Sequence, residues 1–206
     1  MLHISPGVGE MWELTALTPE VLDSLNKLKG RLVIHPRLWR VVMDLLNALR
    51  MLAGYNKIAN ERIYEQCGRL EPDEYLLARQ GSFGSIHGLL NHMLLGDRIW
   101  MSRFAGAGNS TPPLNSILYE GFADLRAARG EEDARIVAFF ENADSTFLQR
   151  PIPYINNQGN SYVETATVAA LHFFNHQTHH RGQVHVMLSQ TTVKPPSLDL
   201  HRIVNP

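Results

Sequence analysis

Ten histidines occur in 206 residues, and four of them fall between His172 and His180. The run reads Leu171-His172-Phe173-Phe174-Asn175-His176-Gln177-Thr178-His179-His180-Arg181-Gly182-Gln183. On a helix, His176 and His180 lie one turn apart on one face, ~6 Å along the axis, so both imidazoles can reach a single ion. Paired histidines of zinc hydrolase helices use the same spacing. No Glu follows the first His here, so the metalloprotease motif itself is absent. His172 extends the row by a turn, but His172 and His180 are ~12 Å apart along the axis and cannot share an ion. His176 therefore pairs with either His172 or His180, and His179, three residues from His176, also competes. Periodicity alone does not choose.

A third nitrogen has to come from another helix. His92 sits centrally in Asn91-His92-Met93-Leu94-Leu95-Gly96-Asp97-Arg98-Ile99-Trp100, with Gly88 and Gly96 one turn to either side, which leaves room for an ion and a ligand. His87 is five residues away and faces elsewhere. A histidine that sits singly on an apolar face is more often a satisfied core or interface residue, the plainer reading for His87, His172 and His185. Three neutral imidazoles would leave an ion's charge uncompensated and positions open to water or substrate, the arrangement of catalytic zinc sites. Such an ion lowers the pKa of a bound thiol or water and polarises a carbonyl. Imidazole suits zinc and nickel, as well as iron and copper.

Other polar residues are candidates for supporting roles. Gln183 shares the face of His176 and His180 and is placed to orient a bound water, or else lies at the bundle mouth in solvent. Asn56 and Asn60 form an i, i+4 pair that either lines a pocket or makes interhelical hydrogen bonds. Asp97 is read as half of a structural ion pair with Arg181, and Gly182 as a point of close helix approach. No Ser-His-Asp order, phosphate-binding glycine loop or paired-carboxylate signature is present, and Cys67 is read as a core residue. The catalytic group is left open between a metal-activated thiol and water.

These residues need rigid elements to hold them. Leu45, Leu46, Leu49, Leu52, Ala59 and Ile63 fall on one stripe and predict a long helix over about 38–68, ended by Gly68 and Pro72. Gly81-Ser82-Phe83-Gly84-Ser85 leads into a second helix, roughly 85–105, with Ile86, Leu89, Leu90, Met93, Leu94 and Trp100 on its core face. A third is expected from about Asn115 to Leu148, with a disturbance at Gly130. A hairpin or turn is expected around Asn156-Asn157-Gln158-Gly159-Asn160, and a fourth helix over about 163–190. The fold class is thus all-α, a four-helix bundle over 43–190. A C-terminal tail spans 191–206, and an N-terminal extension over 1–42 carries one short helix opened by Thr18-Pro19-Glu20.

Composition narrows the function. Hydrophobic residues make up 44% and the formal net charge is −1, which gives no footprint for nucleic acid or anionic lipid. One cysteine excludes an internal disulfide framework and fits a reducing cytosol. Residues 1–17 lack a basic leader and an apolar run, so neither signal peptide nor membrane span is expected. The expected setting is cytoplasmic, with a small-molecule partner and a homodimeric assembly.

Three segments of the chain carry a resemblance to a known family. Tyr55-Asn56-Lys57-Ile58-Ala59-Asn60-Glu61-Arg62, the run Gly84-Ser85-Ile86-His87-Gly88-Leu89-Leu90-Asn91-His92 leading to Asp97-Arg98-Ile99-Trp100, and Asn175 to Gln183 resemble the DinB-like family, within the DinB/YfiT superfamily of four-helix-bundle metalloproteins. The resemblance covers about residues 43–190 and implies one metal ion held by His92, His176 and His180, with His179 outside the ligand set. The family commonly carries Trp where this chain has Ile58. Superfamily members include transferases that join low-molecular-weight thiols to electrophiles and a thiol-dependent isomerase. The resemblance therefore implies a divalent metal, zinc or nickel foremost, and a low-molecular-weight thiol as cofactors. A metal-dependent hydrolase and a non-catalytic metal-binding stress-response protein are the alternatives.

Overall fold

Apolar residues recurring every three to four positions bury one stripe of each long helix, and here they build four such helices. The computed structural model describes residues 36–107 and 112–205, with side chains from Asp44 onward. In chain order the elements are α1 (Pro36–Cys67), α2 (Pro72–Leu76), α3 (Ile86–Ala105), α4 (Phe122–Asn142), α5 (Ser145–Gln149), β1 (Pro151–Ile155), β2 (Ser161–Thr165), α6 (Ala166–Leu188) and α7 (Leu200–Val204). The long helices α1, α3, α4 and α6 form the expected bundle. β1 and β2 pair antiparallel as the one sheet among the described residues. Asn156 Oδ1 accepts from the backbone of Gln158 and Asn160, both at 2.9 Å, and closes the hairpin turn. The short helix expected within residues 1–42 lies outside the described residues. No described helix is long and apolar enough to cross a membrane.

Three boundaries differ from the expectation. The third helix does not start near Asn115 or run to Leu148. Asn91, buried in α3, accepts from the backbone N–H of Leu118 and Tyr119 at 2.9 and 3.0 Å and donates to the Tyr119 carbonyl at 3.2 Å. Those backbone groups are thereby taken from helical pairing, and α4 begins only at Phe122. It passes through Gly130 without a break and stops at Asn142. Asp144 then caps a new helix, its carboxylate accepting from the N–H of Thr146 and Phe147. The fourth long helix starts at Ala166 rather than near 163, because residues 161–165 are consumed by β2 and Thr165 provides the cap, accepting from Val168 N–H at 3.3 Å. In the tail, α7 sets Ile203 against Tyr55 and Ala59.

The core is divided. One apolar cluster joins Leu46, Leu49, Trp100, Phe104, Phe140 and Phe173 among others; the second joins Ile63, Leu89, Leu90, Leu125, Val184 and Leu188 among others. Between them, every long helix sends in polar side chains: Asn56 and Asn60, Asp97, Arg129 and Asp133, Gln177 and Arg181, all buried. Arg129 donates to Asp97 at 2.7 Å and lies 3.0 Å from Asp133. Gln177 donates to Asp97 and to the Met93 carbonyl. Arg181 donates to the side-chain carbonyls of Asn56 and Asn60, whose amides donate to Asp133 at 3.3 and 2.9 Å. Two arginines and two aspartates balance in charge. A one-turn slip of any helix would leave buried charges unpaired, so the layer fixes the relative heights of all four. Asp97 therefore pairs with Arg129 and not with Arg181. Asn56 and Asn60 make interhelical hydrogen bonds, one of the two roles their spacing allowed. Cys67 is a core residue whose thiol burial pushes up to about 12.

Candidate metal centre

α3 and α6 pack directly against one another, and the three histidines sit on their facing sides. The polar layer holds those helices in height through the bond between Gln177 and Asp97, each next in sequence to a residue of the site: His176 and Gly96. Gly96 allows the close approach, since a methyl group there would stand 3.2 Å from Cε1 of the His176 ring. The His180 Nε2 atom lies 3.0 Å from Nε2 of His176 and 3.2 Å from Nε2 of His92. One nitrogen of each of the three lies within 4.8 Å of the others. Nitrogens ~2.1 Å from a shared ion stand ~3.4 Å apart in tetrahedral directions and ~3.0 Å apart at right angles, so the separations of His180 from His176 and His92 match imidazoles aimed at one ion. The three-histidine group could hold a metal ion.

The remaining nitrogens explain why Nε2 faces inward. His92 Nδ1–H donates to the Leu114 carbonyl at 2.9 Å, and His180 Nδ1–H donates to Gln183 Oε1 at 2.7 Å. Each bond places the proton on Nδ1 and leaves the Nε2 lone pair for the centre. Burial holds the His92 and His176 imidazoles down at about 4 and about 3, with the neighbouring histidines pushing the same way and the Leu114 bond opposing at His92. His180 is also lowered, chiefly by burial and against its bond to Gln183. All three are neutral at neutral pH and ready as ligands. The same depression gives the metal-free protein a signed acid response. Below the ordinary histidine value of 6.5 the unfolded chain takes up protons that the folded site refuses. Stability is therefore expected to fall as the pH drops from 6.5 towards about 4, measured by thermal melting of metal-free protein.

Gln183 thus supports the His180 ring from the face it shares with His176 and His180. Its amide N–H also meets His179 Nε2 at 3.3 Å, which fixes the amide's orientation. Replacing Gln183 with alanine is expected to weaken zinc binding about ten- to hundredfold, while Gln183→Glu, which keeps an acceptor, retains it; titration calorimetry reads both.

Spacing left His172 and His180 as equal partners for His176, and the geometry separates them. His172 is exposed, its ring packed on Trp100 at a centroid distance of 5.1 Å. His179 is exposed beside Gln183. His87 points to another face, with Nδ1 3.1 Å from the Tyr75 hydroxyl. Ile58 is exposed on α1.

Phe83 was not foreseen as part of the site. Its ring stacks on His92 with centroids 3.6 Å apart and planes 15° from parallel, covering one side of the ligand. It does so from a left-handed backbone (φ 69°), which non-glycine residues seldom adopt. The Phe83 carbonyl comes so near Gly88 that an added Cβ would stand 2.2 Å from its oxygen. Gly88→Ala is therefore expected to displace residues 83–85, cost about 1–3 kcal/mol, and weaken zinc binding as Phe83 leaves His92; urea unfolding and calorimetry would show it. The glycines flanking Phe83 were the only sequence signal, and the Leu114 carbonyl offered none.

A cavity of about 340 Å³ opens beside His92 and His176, between α3, α6 and the hairpin turn at Asn156–Gln158. A larger groove of about 550 Å³ runs past Met101, Phe139 and Arg150, but none of the three histidines lines it.

The DinB family model matches residues 44–205. Protein DinB of Bacillus subtilis (strain 168) is 26% identical over 145 residues, which span 68% of this chain and 83% of the Bacillus protein.

Proposed function

Because the chain belongs to the DinB family, we propose that it is a metal-dependent enzyme that transfers a low-molecular-weight thiol to an electrophilic small molecule, with His92, His176 and His180 as the metal ligands. The observation that carries this reading is the convergence of three Nε2 atoms with no carboxylate among them, at the wall of a cavity of about 340 Å³. A divalent ion with three neutral ligands supplies Lewis acidity, favouring the deprotonated form of a thiol or water and polarising an electrophile. The chain's own residues do the rest. The Leu114 carbonyl and Gln183 hold the imidazole protons away from the centre, and Phe83 shields one face of His92. The cavity gives a small molecule room to lie against His92 and His176.

The test is turnover by the metal-loaded full chain, with thiol-plus-electrophile pairs in one panel and esters and amides in another. The expected result is conjugation of the thiol, lost in His176→Ala. Hydrolysis without thiol transfer would make water the nucleophile. Turnover that survives loss of His176 would remove the metal from the mechanism, and none in either panel would favour a binding role.

A further inference from the structure

His92, Gly96, Trp100 and Arg103 follow one another at helical spacing along α3, and 11 residues bring Arg103 back to nearly the same face as His92, ~16 Å further along the axis. All four line the cavity beside the metal centre. The Arg103 guanidinium is held at the far end by two rings, 4.6 Å from the Trp100 centroid and 4.3 Å from that of Tyr154. One of its N–H groups donates to the Ile155 carbonyl at 3.2 Å. Its Nε is buried and has no hydrogen-bond partner among the described residues, and no described carboxylate forms an ion pair with it. A guanidinium has five donors. Most of these remain available, on a cation fixed in place by aromatic faces and opening onto a cavity whose other end is walled by His92 and His176.

We propose that this cavity takes an elongated monoanion, with a carboxylate at one end paired to Arg103 and the reactive end at His92 and His176. The inference rests on the reading of the histidines as a metal site for its second anchor. Arginine leans back towards the helix N-terminus, which shortens the gap between the anchors to roughly 10 Å. A single fixed guanidinium matches one carboxylate in charge and in its paired donors. Ile99 and Leu114, which also line the cavity, would flank the apolar middle of such a molecule. Arg103 is a specificity-determining residue in this account: it reads the charge and leaves the chemistry to the other end.

The experiment uses the full chain loaded with cobalt(II), whose absorption changes when a thiol coordinates. ω-Mercaptooctanoate, the neutral ω-mercaptooctanol and the shorter mercaptopropionate are titrated against wild type and Arg103→Gln. The expected result is at least about a tenfold preference for the long acid over the long alcohol, absent for the short acid and lost in Arg103→Gln, with cobalt affinity unchanged. Equal binding of long acid and long alcohol, or a preference that survives the substitution, overturns the proposal while leaving the metal reading intact. If no thiol alters the cobalt spectrum, the thiol reading fails, and octanoate then decides this one: a shift of the Arg103 Nε–Hε resonance in nuclear magnetic resonance supports it, and no shift overturns it.

Discussion

His176→Ala is expected to abolish stoichiometric metal binding in a protein that still folds. His176 supplies one of the three converging nitrogens, 3.0 Å from the His180 Nε2. Without it two imidazoles remain, one on α3 and one on α6, and among the described residues no carboxylate joins the group to replace the lost donor. Loss of a group that merely supports a ligand costs ten- to hundredfold in affinity, so loss of the ligand itself should exceed about a thousandfold. The fold should survive because Gln177 and Arg181, which lock α6 to its neighbours, are untouched. The variant should also resist acid better than metal-free wild type, since the imidazole held down to about 3 is gone. Elemental analysis after dialysis, with circular dichroism melting, reads both. Full metal occupancy in His176→Ala would contradict the assignment.

Arg129→Met is expected to be the most destabilising single change in the core. Arg129 is buried between Asp97 and Asp133, and nothing else in the layer offers those carboxylates a positive charge at comparable distance. Breaking a buried pair from one side costs about 3–5 kcal/mol, against about zero for replacing the whole group by apolar residues. The deficit has a sign with pH. Burial already pushes the Asp97 and Asp133 carboxyls up to about 7 and about 6, and removing the guanidinium raises them further. The folded variant then binds protons that the unfolded chain, with ordinary carboxylates, does not, so its stability is lost as pH rises. The gap between wild type and variant should widen towards about pH 9, where even strongly raised buried carboxyls ionise, and narrow towards pH 6. Urea unfolding at both values checks it. A deficit under about 1 kcal/mol, or one that ignores pH, would show that the layer is not held by charge pairing.

Much of this was readable from residues because helical periodicity is local. The leucine stripes located the long helices, the Asn-Asn-Gln-Gly-Asn cluster located the hairpin, and the one-turn spacing of the histidines on α6 narrowed the candidate pair to His176 with His172 or His180, which only the family resemblance resolved. What could not be read depends on residues distant in sequence. Asn91 decides that residues 115–121 are not helical. Arg129 takes the Asp97 partner that spacing allowed to Arg181. Phe83 reaches His92 only because Gly88 lets its carbonyl pass. The third ligand, by contrast, was found from a local cue: the glycines on either side of His92 that make room around it.

Whether three imidazoles share one ion is tested most directly by anomalous diffraction from crystals of untagged, metal-loaded full-length protein. The predicted result is a single anomalous peak bonded to Nε2 of His92, His176 and His180, with Nδ1 of His180 still on Gln183. A peak held by His172 or His179 in place of His180, or fully loaded protein with no peak among these rings, would contradict it.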